Sequence, residues 1–352
     1  HAWRDRFQYL DEIWVGSNFV QNILAPVAPI PGVRMGVPME REPAPGATRA
    51  TLGLPEAKFL FLFAFDLLSV FERKNPLGLI EAYRRAFGPE FQDTTLVLKV
   101  TKLEAFPHHQ QQLKQALSSV SGILIDRYMD RQELDGLFET CDAYVSLHRS
   151  EGFGVTMAEA MRLAKPTIAT GYSGNVDFMN VGNSYLVDYR LIELDRDFGP
   201  YPQGSVWADP ELDHAAAQMR QVFENREEAI QKGTRAAAEL QDHYGGEATA
   251  KRVIERLAQI QQNQGRALMA RARRQEIQTS LVSDPTLQQL RERAMVNPHL
   301  PIAWPYWPKG FWPKTAALFQ KVTRRLLRWY IDPIVEQQNR FNASTVEAVS
   351  YT

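Results

Sequence analysis

The sequence predicts an α/β fold, a Rossmann-like doubly wound parallel sheet followed by a helical and irregular C-terminal extension. Between residues 41 and 265, short apolar segments alternate with helix-like segments. These apolar segments lack the period of two that marks a strand with one exposed face. The chain has 352 residues, of which 44% are hydrophobic and 23% charged. That composition is typical of a soluble protein with a buried core, and the length fits two domains.

The predicted strands and helices follow one another along the chain. The strands are predicted at Lys58–Phe65, Thr95–Val100, Ile123–Asp126, Ala143–Leu147 and Thr167–Thr170. The helices between them are predicted at Pro76–Phe87, Pro107–Leu117, Arg131–Thr140 and Val155–Leu163. Three further helices are predicted at Glu211–Glu224, Arg226–Leu240 and Gly246–Gln261. An open sheet of this kind binds its ligands at the carboxyl ends of its strands.

Two flanking regions complete the predicted domain organisation. The N-terminal one has a helix-like piece at Asp5–Leu10, a strand-like piece at Glu12–Val15 and the loop-rich Ala25–Pro38. A strand followed by a Pro- and Gly-rich stretch is typical of the end of one unit and a linker into the next. The predicted parts are therefore residues 1–40, 41–265 and 266–352.

The last part, residues 266–352, is basic and rich in tryptophan and proline. It has 13 Lys and Arg against 6 Asp and Glu, and it holds four of the seven tryptophans. Five prolines from Pro298 to Pro313 exclude a continuous helix there, whereas Thr315–Tyr330 has the pattern of a basic amphipathic helix. Two interpretations stay open: a packing arm or linker, and a segment in weak contact with anionic lipid headgroups at a membrane surface.

Charge and cysteine content exclude several classes of protein. With 40 Lys and Arg against 41 Asp and Glu, the chain has no overall electrostatic attraction to nucleic acid. A single cysteine excludes a disulfide framework and a cysteine-based zinc cluster, and it fits a cytoplasmic location. The longest apolar run, Phe59–Phe65, is far shorter than the roughly 20 residues of a membrane span. A chain that begins at His1 rather than Met indicates a segment of a longer protein.

The stretch Ser146–Glu159, between a predicted strand and a predicted helix, carries the clearest chemistry. Gly152 and Gly154 allow the backbone to come close to a ligand, and the free N–H groups at the helix start favour an anion. Glu151 and Glu159 stand in a Glu-x7-Glu spacing around this anion site. Two carboxylates would repel a simple anion, but they suit a ligand with hydroxyls on both sides of its phosphates, such as a nucleotide sugar.

Glu-x7-Glu with its embedded Gly-Phe-Gly, followed by Ala160–Pro166 and a strand, resembles the donor-binding half of retaining GT-B glycosyltransferases, closest to glycosyltransferase family 4. The resemblance covers residues 10–265 and implies the C-terminal half of a GT-B fold. It implies transfer of a sugar from a nucleotide diphosphate sugar, with retention and with no metal or other cofactor, in polysaccharide or glycoconjugate synthesis. Residues 10–36 resemble the end of the acceptor-binding domain, so nearly all of that N-terminal domain is expected to be missing and the chain alone to be inactive.

The same resemblance assigns roles to the residues of the motif. Glu151 is expected to bond the donor sugar hydroxyls as a catalytic residue. The backbone of Gly152, Phe153 and Gly154 is expected to hold the sugar and phosphate. Glu159 is expected to bind the ribose.

The family also places an Arg and a Lys after the first strand, against the donor diphosphate. Lys74 matches the Lys, and Arg73 is the candidate for the Arg. Asp66 and Ser69 occupy the position where the family has its Arg. Two cations beside a leaving diphosphate stabilise the charge that develops as the glycosidic bond breaks.

The remaining donor-binding candidates follow the carboxyl ends of other strands. Lys99 is either a further phosphate ligand or a solvated surface residue, and Tyr128 lies where the family cradles the nucleobase. His148 either packs beneath its strand end or reaches the donor phosphates. The loop after the fifth predicted strand should border the donor sugar, through Tyr172, Gly174 and Asn175.

Two other cofactor patterns are weaker. Asp195 and Asp197 form the Asp-x-Asp of metal-dependent transferases, but they lie outside the strand-to-helix units, and no metal site is predicted. Gly152-Phe-Gly154 has Met157 where a dinucleotide fingerprint needs its third glycine.

The partners expected are a nucleotide sugar, an unknown sugar or lipid-linked acceptor, and the absent N-terminal domain. A lipid-linked acceptor would be met at the inner face of the membrane. Two alternative functions stay open: a non-catalytic module that binds nucleotide sugar or acts as a scaffold, and a GT-B sugar-nucleotide epimerase.

Overall fold

The computed structural model describes residues 4–40 and 46–261. Contacts between residues group His1–Gln259 into one compact unit and Ile260–Thr352 into a second. The extension predicted at 266–352, with its basic helix at 315–330, lies outside the described residues. Within the described part of the chain, no helix is both long enough and apolar enough to cross a membrane.

Ten strands and nine α-helices are described. The strands are β1 (Ile13–Val15), β2 (Gly32–Arg34), β3 (Phe59–Asp66), β4 (Thr94–Thr101), β5 (Gly122–Ile125), β6 (Ala143–Ser146), β7 (Thr167–Thr170), β8 (Tyr185–Val187), β9 (Tyr189–Glu193) and β10 (Val206–Pro210). The helices are α1 (Asn18–Leu24), α2 (Phe71–Lys74), α3 (Pro76–Phe87), α4 (Pro107–Leu117), α5 (Arg131–Thr140), α6 (Val155–Arg162), α7 (Leu212–Glu224), α8 (Arg226–Tyr244) and α9 (residues 246–261). Short 3-10 turns occur at Arg4–Tyr9, Leu103–Ala105 and Gly174–Asp177.

Six parallel strands form the main sheet, in the order β5-β4-β3-β6-β7-β8. The chain moves outward from β3 to β5 and then returns to place β6, β7 and β8 on the other side of β3. The strand order therefore reverses between β3 and β6, which is where a doubly wound sheet opens a crevice at its carboxyl end. The predicted fold class is confirmed.

The core lies on both faces of this sheet, which explains why the strands are continuously apolar. Every residue of β3 from Phe59 to Phe65 is buried, and the same holds for β4 from Thr94 to Val100. Helices α7 and α8 close the sheet by packing on α3 and α6 respectively. Full burial of one such side chain contributes about 1.5–3 kcal/mol to the free energy of folding.

Cys141, the single cysteine of the chain, provides a reporter of this core. Its side chain is 2% exposed, and burial raises the pKa of the thiol to about 12. Because the thiolate is the reactive species, we expect dithionitrobenzoate to leave the folded protein unmodified at pH 8. In a urea titration, thiol reaction should rise together with the loss of circular dichroism. Rapid labelling in the absence of urea would contradict this packing.

Six elements were not predicted from the sequence: α1, α2, β2, β8 and the two strands of the antiparallel pair β9–β10. The strands β2 and β8 have three residues each, too few to establish a period. Helix α1 carries a recognisable start signal, because the Ser17 hydroxyl accepts a hydrogen bond from the Val20 N–H. The β9 residues are mostly exposed, so that strand has no apolar run.

The segment between residues 10 and 36 is bonded to the loop after β7 and to helices α8 and α9. The Asp177 carboxylate accepts the Asn18 N–H at 2.8 Å and lies 3.0 Å from the Arg34 guanidinium. Arg34 also donates to the Tyr244 hydroxyl at 2.7 Å, and Glu12 forms an ion pair with Arg256 of α9. Residues that the sequence assigns to a separate N-terminal domain thus contact the loop after β7 and helices α8 and α9.

Candidate functional site

The loops that follow β3 and β6 meet at the crevice where the strand order reverses. After β3 the chain makes the single turn α2, and Asn75 then adopts a left-handed conformation with φ 53° before α3 begins. The Asn75 amide donates to the carbonyl of Leu147, the first residue after β6, at 2.9 Å. This bond joins the two loops across the switch point, which is where a ligand is expected.

Glu151 lies between two cations in this crevice. Lys74 Nζ donates to Glu151 Oε1 at 2.5 Å, and Arg73 Nη1 lies 3.2 Å from the same oxygen. Arg73 also donates to the Ser150 carbonyl. The three residues expected from sequence to be catalytic are therefore brought together, and one carboxylate facing two cations leaves the cluster with a net positive charge.

The charges around Glu151 keep it ionised although it is withdrawn from solvent. Burial acts to raise the pKa of Glu151, but the charges of Lys74 and Arg73 outweigh it and lower the pKa below its usual value. Above that lowered pKa the carboxylate remains negative and can accept hydrogen bonds from hydroxyl groups.

The helix α6 starts at a glycine with an unusual backbone, next to Glu151. Gly154 has φ 98°, which side-chain-bearing residues rarely adopt, and α6 begins at Val155. The N–H groups of this first turn are free to bind an anion. Phe153 packs its ring on Phe178 and Tyr244, so only its backbone is available to a ligand.

Gly174 allows the loop after β7 to lie directly on the Gly-Phe-Gly turn. Its N–H donates to the Glu151 carbonyl at 2.9 Å, and a Cβ at this position would stand 2.3 Å from the Gly152 carbonyl oxygen. The obstacle is backbone and cannot rotate away.

We expect Gly174→Ala to lower the free energy of unfolding by about 2 kcal/mol or more, the range for overpacking a tight contact. Urea denaturation measures this. Gly152→Ala is the matched control, because its added methyl meets only Val20 Cγ2 at 3.7 Å, and its stability should stay close to that of the wild type. Equal stability of the Gly174 and Gly152 variants would contradict the close approach.

Glu159 is held by a cation that sequence reasoning missed. The Glu159 side chain is buried, and its Oε1 accepts from Arg131 Nη1 at 2.6 Å. Arg131 opens α5, directly after the capping residue Asp130. The sequence does show that Arg131 begins a helix, but its contact with Glu159, 28 positions later, depends on how α5 and α6 pack.

His148 lies in the packed interior, 0% exposed. Its Nε2 is 3.1 Å from the Tyr172 carbonyl and 3.0 Å from Asn175 Oδ1. Both are acceptors, so the ring proton is on Nε2, and Nδ1 accepts from the Ser146 hydroxyl at 3.2 Å. The structure thus places His148 beneath the strand end, where its Nε2 supports the loop after β7 and its Nδ1 bonds Ser146 of β6.

Burial lowers the pKa of His148 below its ordinary value of 6.5. The unfolded chain then takes up a proton below about pH 6.5 that the folded chain refuses, so the free energy of unfolding should fall as the pH drops, by at most about 1.4 kcal/mol per pH unit. Urea denaturation of the wild type and His148→Gln at pH 7.5 and 5.5 measures the difference. The variant should lose less stability than the wild type; equal losses would contradict a buried neutral imidazole.

The other predicted donor residues lie at different depths. Lys99 is 3% exposed and donates to the Val100 carbonyl and the Thr101 hydroxyl, and burial lowers its pKa; it is not a surface residue. Asp66 caps its own loop by accepting from the Leu68 N–H. Ser69 donates its backbone N–H to the Asp66 carbonyl. Tyr128, 71% exposed, lies in the loop before α5.

The loop after β7 borders Glu151 through a strained serine, Ser173, whose contact with Glu151 was not predicted from the sequence. Ser173 has φ 80° and ψ −145°, a region that costs a non-glycine residue about 1–3 kcal/mol, and its hydroxyl accepts the Glu151 N–H at 2.8 Å. Asn175 is buried and donates to the Thr170 carbonyl. Tyr172 packs between Phe19 and a β9 tyrosine.

No group of three or more His, Cys, Asp or Glu side chains converges to hold a metal ion within residues 4–40 and 46–261. The Asp195–Asp197 pattern lies in the connection between β9 and β10. The Asp197 carboxylate accepts the Gln203 N–H at 2.8 Å, so it stabilises that connection.

Solved structures share this fold at low sequence identity. Sucrose-phosphate synthase from Thermosynechococcus elongatus matches 73% of this chain and 60% of its own, at 16% identity and a TM-score of 0.56. A TarM variant from S. aureus, in complex with Fondaparinux, alpha-GlcNAc-glycerol and UDP, matches 72% of this chain and 45% of its own, at 13% identity and a TM-score of 0.54. HepE from Anabaena, in complex with UDP and glucose, matches 73% of this chain and 67% of its own, at 16% identity and a TM-score of 0.54.

The chain therefore spans about half to two thirds of the length of these structures. No curated protein matches its sequence. The family model described as "Glycosyl transferases group 1" matches residues 47–237, which include both loops of the crevice and the whole six-stranded sheet. Because this match covers more than half of the sequence, the chain belongs to the group 1 glycosyl transferases.

Proposed function

We propose that this chain is the donor-binding part of a retaining glycosyltransferase of family 4, which transfers a sugar from a nucleotide diphosphate sugar. The observation that carries the proposal is the convergence of Lys74 and Arg73 on Glu151, beside a glycine-opened helix start at the switch point of the sheet. Cations, free backbone N–H groups and one ionised carboxylate together suit a diphosphate joined to a sugar. The complex of HepE with UDP and glucose, in the same fold, agrees with a ligand of this kind.

In the proposed reaction the protein stabilises the leaving group. The bond between the anomeric carbon and the diphosphate oxygen breaks, and its electron pair leaves with the diphosphate. Lys74, Arg73 and the N–H groups at the start of α6 oppose the charge that develops there. The acceptor hydroxyl bonds the anomeric carbon on the same face, and its proton passes to the departing phosphate oxygen. Attack on that face gives retention.

The sugar and the ribose are proposed to bind through the two carboxylates. Glu151 accepts a hydrogen bond from a hydroxyl of the donor sugar, which orients the anomeric carbon. Glu159 accepts from a ribose hydroxyl, and Arg131 holds this carboxylate in its orientation. Tyr128, before α5, is proposed to lie against the nucleobase, because its exposed ring can stack on one.

The two cations make a divalent metal unnecessary in this proposal, and EDTA should leave turnover unchanged. The acceptor, an unknown sugar or a lipid-linked one in polysaccharide or glycoconjugate synthesis, is proposed to meet the domain that precedes residue 10 in such enzymes.

Calorimetric titration of the chain with UDP-, GDP-, ADP- and dTDP-sugars tests donor binding, with free sugars as controls. We expect one base to bind with a Kd below about 1 mM. Silence across the panel would favour a scaffold module. The complete protein is then incubated with that donor alone and with candidate acceptors. Conversion of the donor without acceptor would indicate an epimerase, and an NMR spectrum that shows an inverted anomeric centre in the product would exclude retention.

A further inference from the structure

The hairpin of β9 and β10 lies outside the six-stranded sheet and reaches the loop that carries the two cations. Its strands pair antiparallel, and the buried Trp207 packs on Phe198 and Tyr201 with ring centroids 5.4 and 5.2 Å apart. The hairpin therefore has an apolar centre of its own. Its connection touches the start of α2, since a Cβ on Gly199 would lie 3.1 Å from Val70 Cγ2.

The helix α2 needs support from outside itself. It consists of four residues, Phe71–Lys74, and a single helical turn is unstable alone because it fixes many dihedral angles for few hydrogen bonds. Arg73 and Lys74 belong to this turn. Their position beside Glu151 thus depends on whatever holds α2 in place.

Arg149 bonds the carbonyls at the C-terminal end of α2. Its backbone N–H donates to the Arg73 carbonyl at 2.8 Å, and its guanidinium Nη1 donates to the Glu72 carbonyl at 3.1 Å. These carbonyls have no partner within so short a helix, and an arginine is well suited to bond them. Arg149 stands two positions before Glu151. It therefore joins the loop that carries Glu151 to the loop that carries Arg73 and Lys74.

Asp209 of β10 holds the Arg149 guanidinium. Its Oδ1 lies 3.1 Å from Arg149 Nη2, and the neighbouring Ala208 N–H donates to the Arg149 carbonyl at 3.0 Å. The other carboxylate oxygen lies 3.2 Å from Arg190 Nη2, which is on the exposed side of the hairpin. The hairpin therefore restrains both the backbone and the side chain of Arg149.

We propose that Arg149, held by Asp209, is a positioning residue that keeps α2 in place so that Arg73 and Lys74 stand beside Glu151. The guanidinium acts through α2 and does not contact the donor. The effect on catalysis rests on the proposed function, whereas the support of α2 by Arg149 does not. Weakening this brace should leave the cations present but poorly placed, which lowers kcat more than it raises the KM for the donor.

Amide hydrogen exchange of the full chain without ligand tests whether Arg149 and Asp209 hold α2 in place. The Lys74 and Asn75 N–H groups donate to the Val70 and Phe71 carbonyls, and their exchange reports opening of α2. We expect the exchange rate of these two groups to rise at least about tenfold in Arg149→Met and at least about threefold in Asp209→Asn. Arg149→Lys should be closer to the wild type. The exchange rates of the β4 N–H groups should not change in any of these variants. Arg190→Met is the matched control, since it removes the other partner of Asp209 but no bond to α2.

Unchanged exchange in Arg149→Met and Asp209→Asn would overturn the proposal, as would an equal rise in Arg190→Met. If Arg149→Met does not fold, Asp209→Asn decides. In the complete enzyme, Asp209→Asn should lower kcat at least about tenfold with the KM for the donor within about twofold. An unchanged kcat despite faster exchange would refute the positioning role. If the wild type binds and transfers no nucleotide sugar, the proposed function fails, while the exchange measurement still decides whether Arg149 braces α2.

Discussion

Replacing Glu151 by alanine is expected to lower sugar transfer by the complete enzyme at least about 10³-fold while nucleoside diphosphate affinity stays unchanged or increases. The reason is the arrangement of charge. The carboxylate is the shared partner of Lys74 and Arg73, so its removal leaves both cations free to face a diphosphate. The sugar, however, loses the acceptor that orients its hydroxyls. Turnover kinetics and calorimetric titration with UDP, GDP and ADP measure the two effects separately.

Two further variants are compared with Glu151→Ala, one at the same position and one as a control. Glu151→Gln keeps the size of the side chain and removes the charge, and its affinity for diphosphate should resemble that of the alanine variant. Glu227→Ala, on the exposed first turn of α8, changes net charge by the same amount away from the site and should behave as the wild type. Loss of diphosphate affinity in Glu151→Ala would mean that the carboxylate is needed to shape the phosphate site.

Replacing Lys74 by alanine is expected to weaken both diphosphate binding and turnover, the latter by about 10²–10³-fold. Lys74 donates to Glu151 and is largely withdrawn from solvent. A lysine elsewhere on the surface therefore cannot replace its charge at this place. Its loss also leaves Glu151 opposed by Arg73 alone, and the pKa of Glu151 should rise, since burial is then less fully compensated. Kinetics, titration with nucleoside diphosphates and carboxyl NMR of Glu151 against pH follow these effects.

The matched control is Lys114→Ala, which removes an exposed lysine from α4. It should leave affinity, turnover and the pKa of Glu151 at wild-type values. Unimpaired turnover in Lys74→Ala would remove Lys74 from the proposed mechanism. Opposite effects on diphosphate affinity in the Glu151 and Lys74 variants, by contrast, would support a cation cluster that the carboxylate restrains.

The central strands and helices could be predicted from the sequence because burial on both faces leaves continuous apolar runs, as in Phe59–Phe65. The helices between them could be predicted equally well; α3, for example, begins at Pro76 and ends at Phe87 as predicted. The Gly-Phe-Gly turn and its two glutamates were found because they are close in sequence.

The partners of those glutamates were harder to predict. Arg131, Ser173 and Arg149 reach the site from separate loops, and nothing in their local sequence marks the contact. Ser173 in particular adopts a backbone conformation that its neighbours in space impose. The β9–β10 hairpin was missed because its centre is assembled from an irregular connection, with Phe198 and Tyr201 around Trp207, rather than from a regular pattern.

The bonds made by residues 17–34 have a practical consequence for protein production. The Ser17 hydroxyl donates to the Gly152 carbonyl at 2.5 Å, and Asp177 is satisfied by Asn18 and Arg34. A truncation that starts at residue 47, where the family match begins, would remove one hydrogen-bond donor from the Gly-Phe-Gly turn and leave the buried Asp177 carboxylate without its counter-ion Arg34. Recombinant versions of this domain should therefore begin upstream of Ser17, even though the described residues between 17 and 40 contribute no strand to the six-stranded sheet.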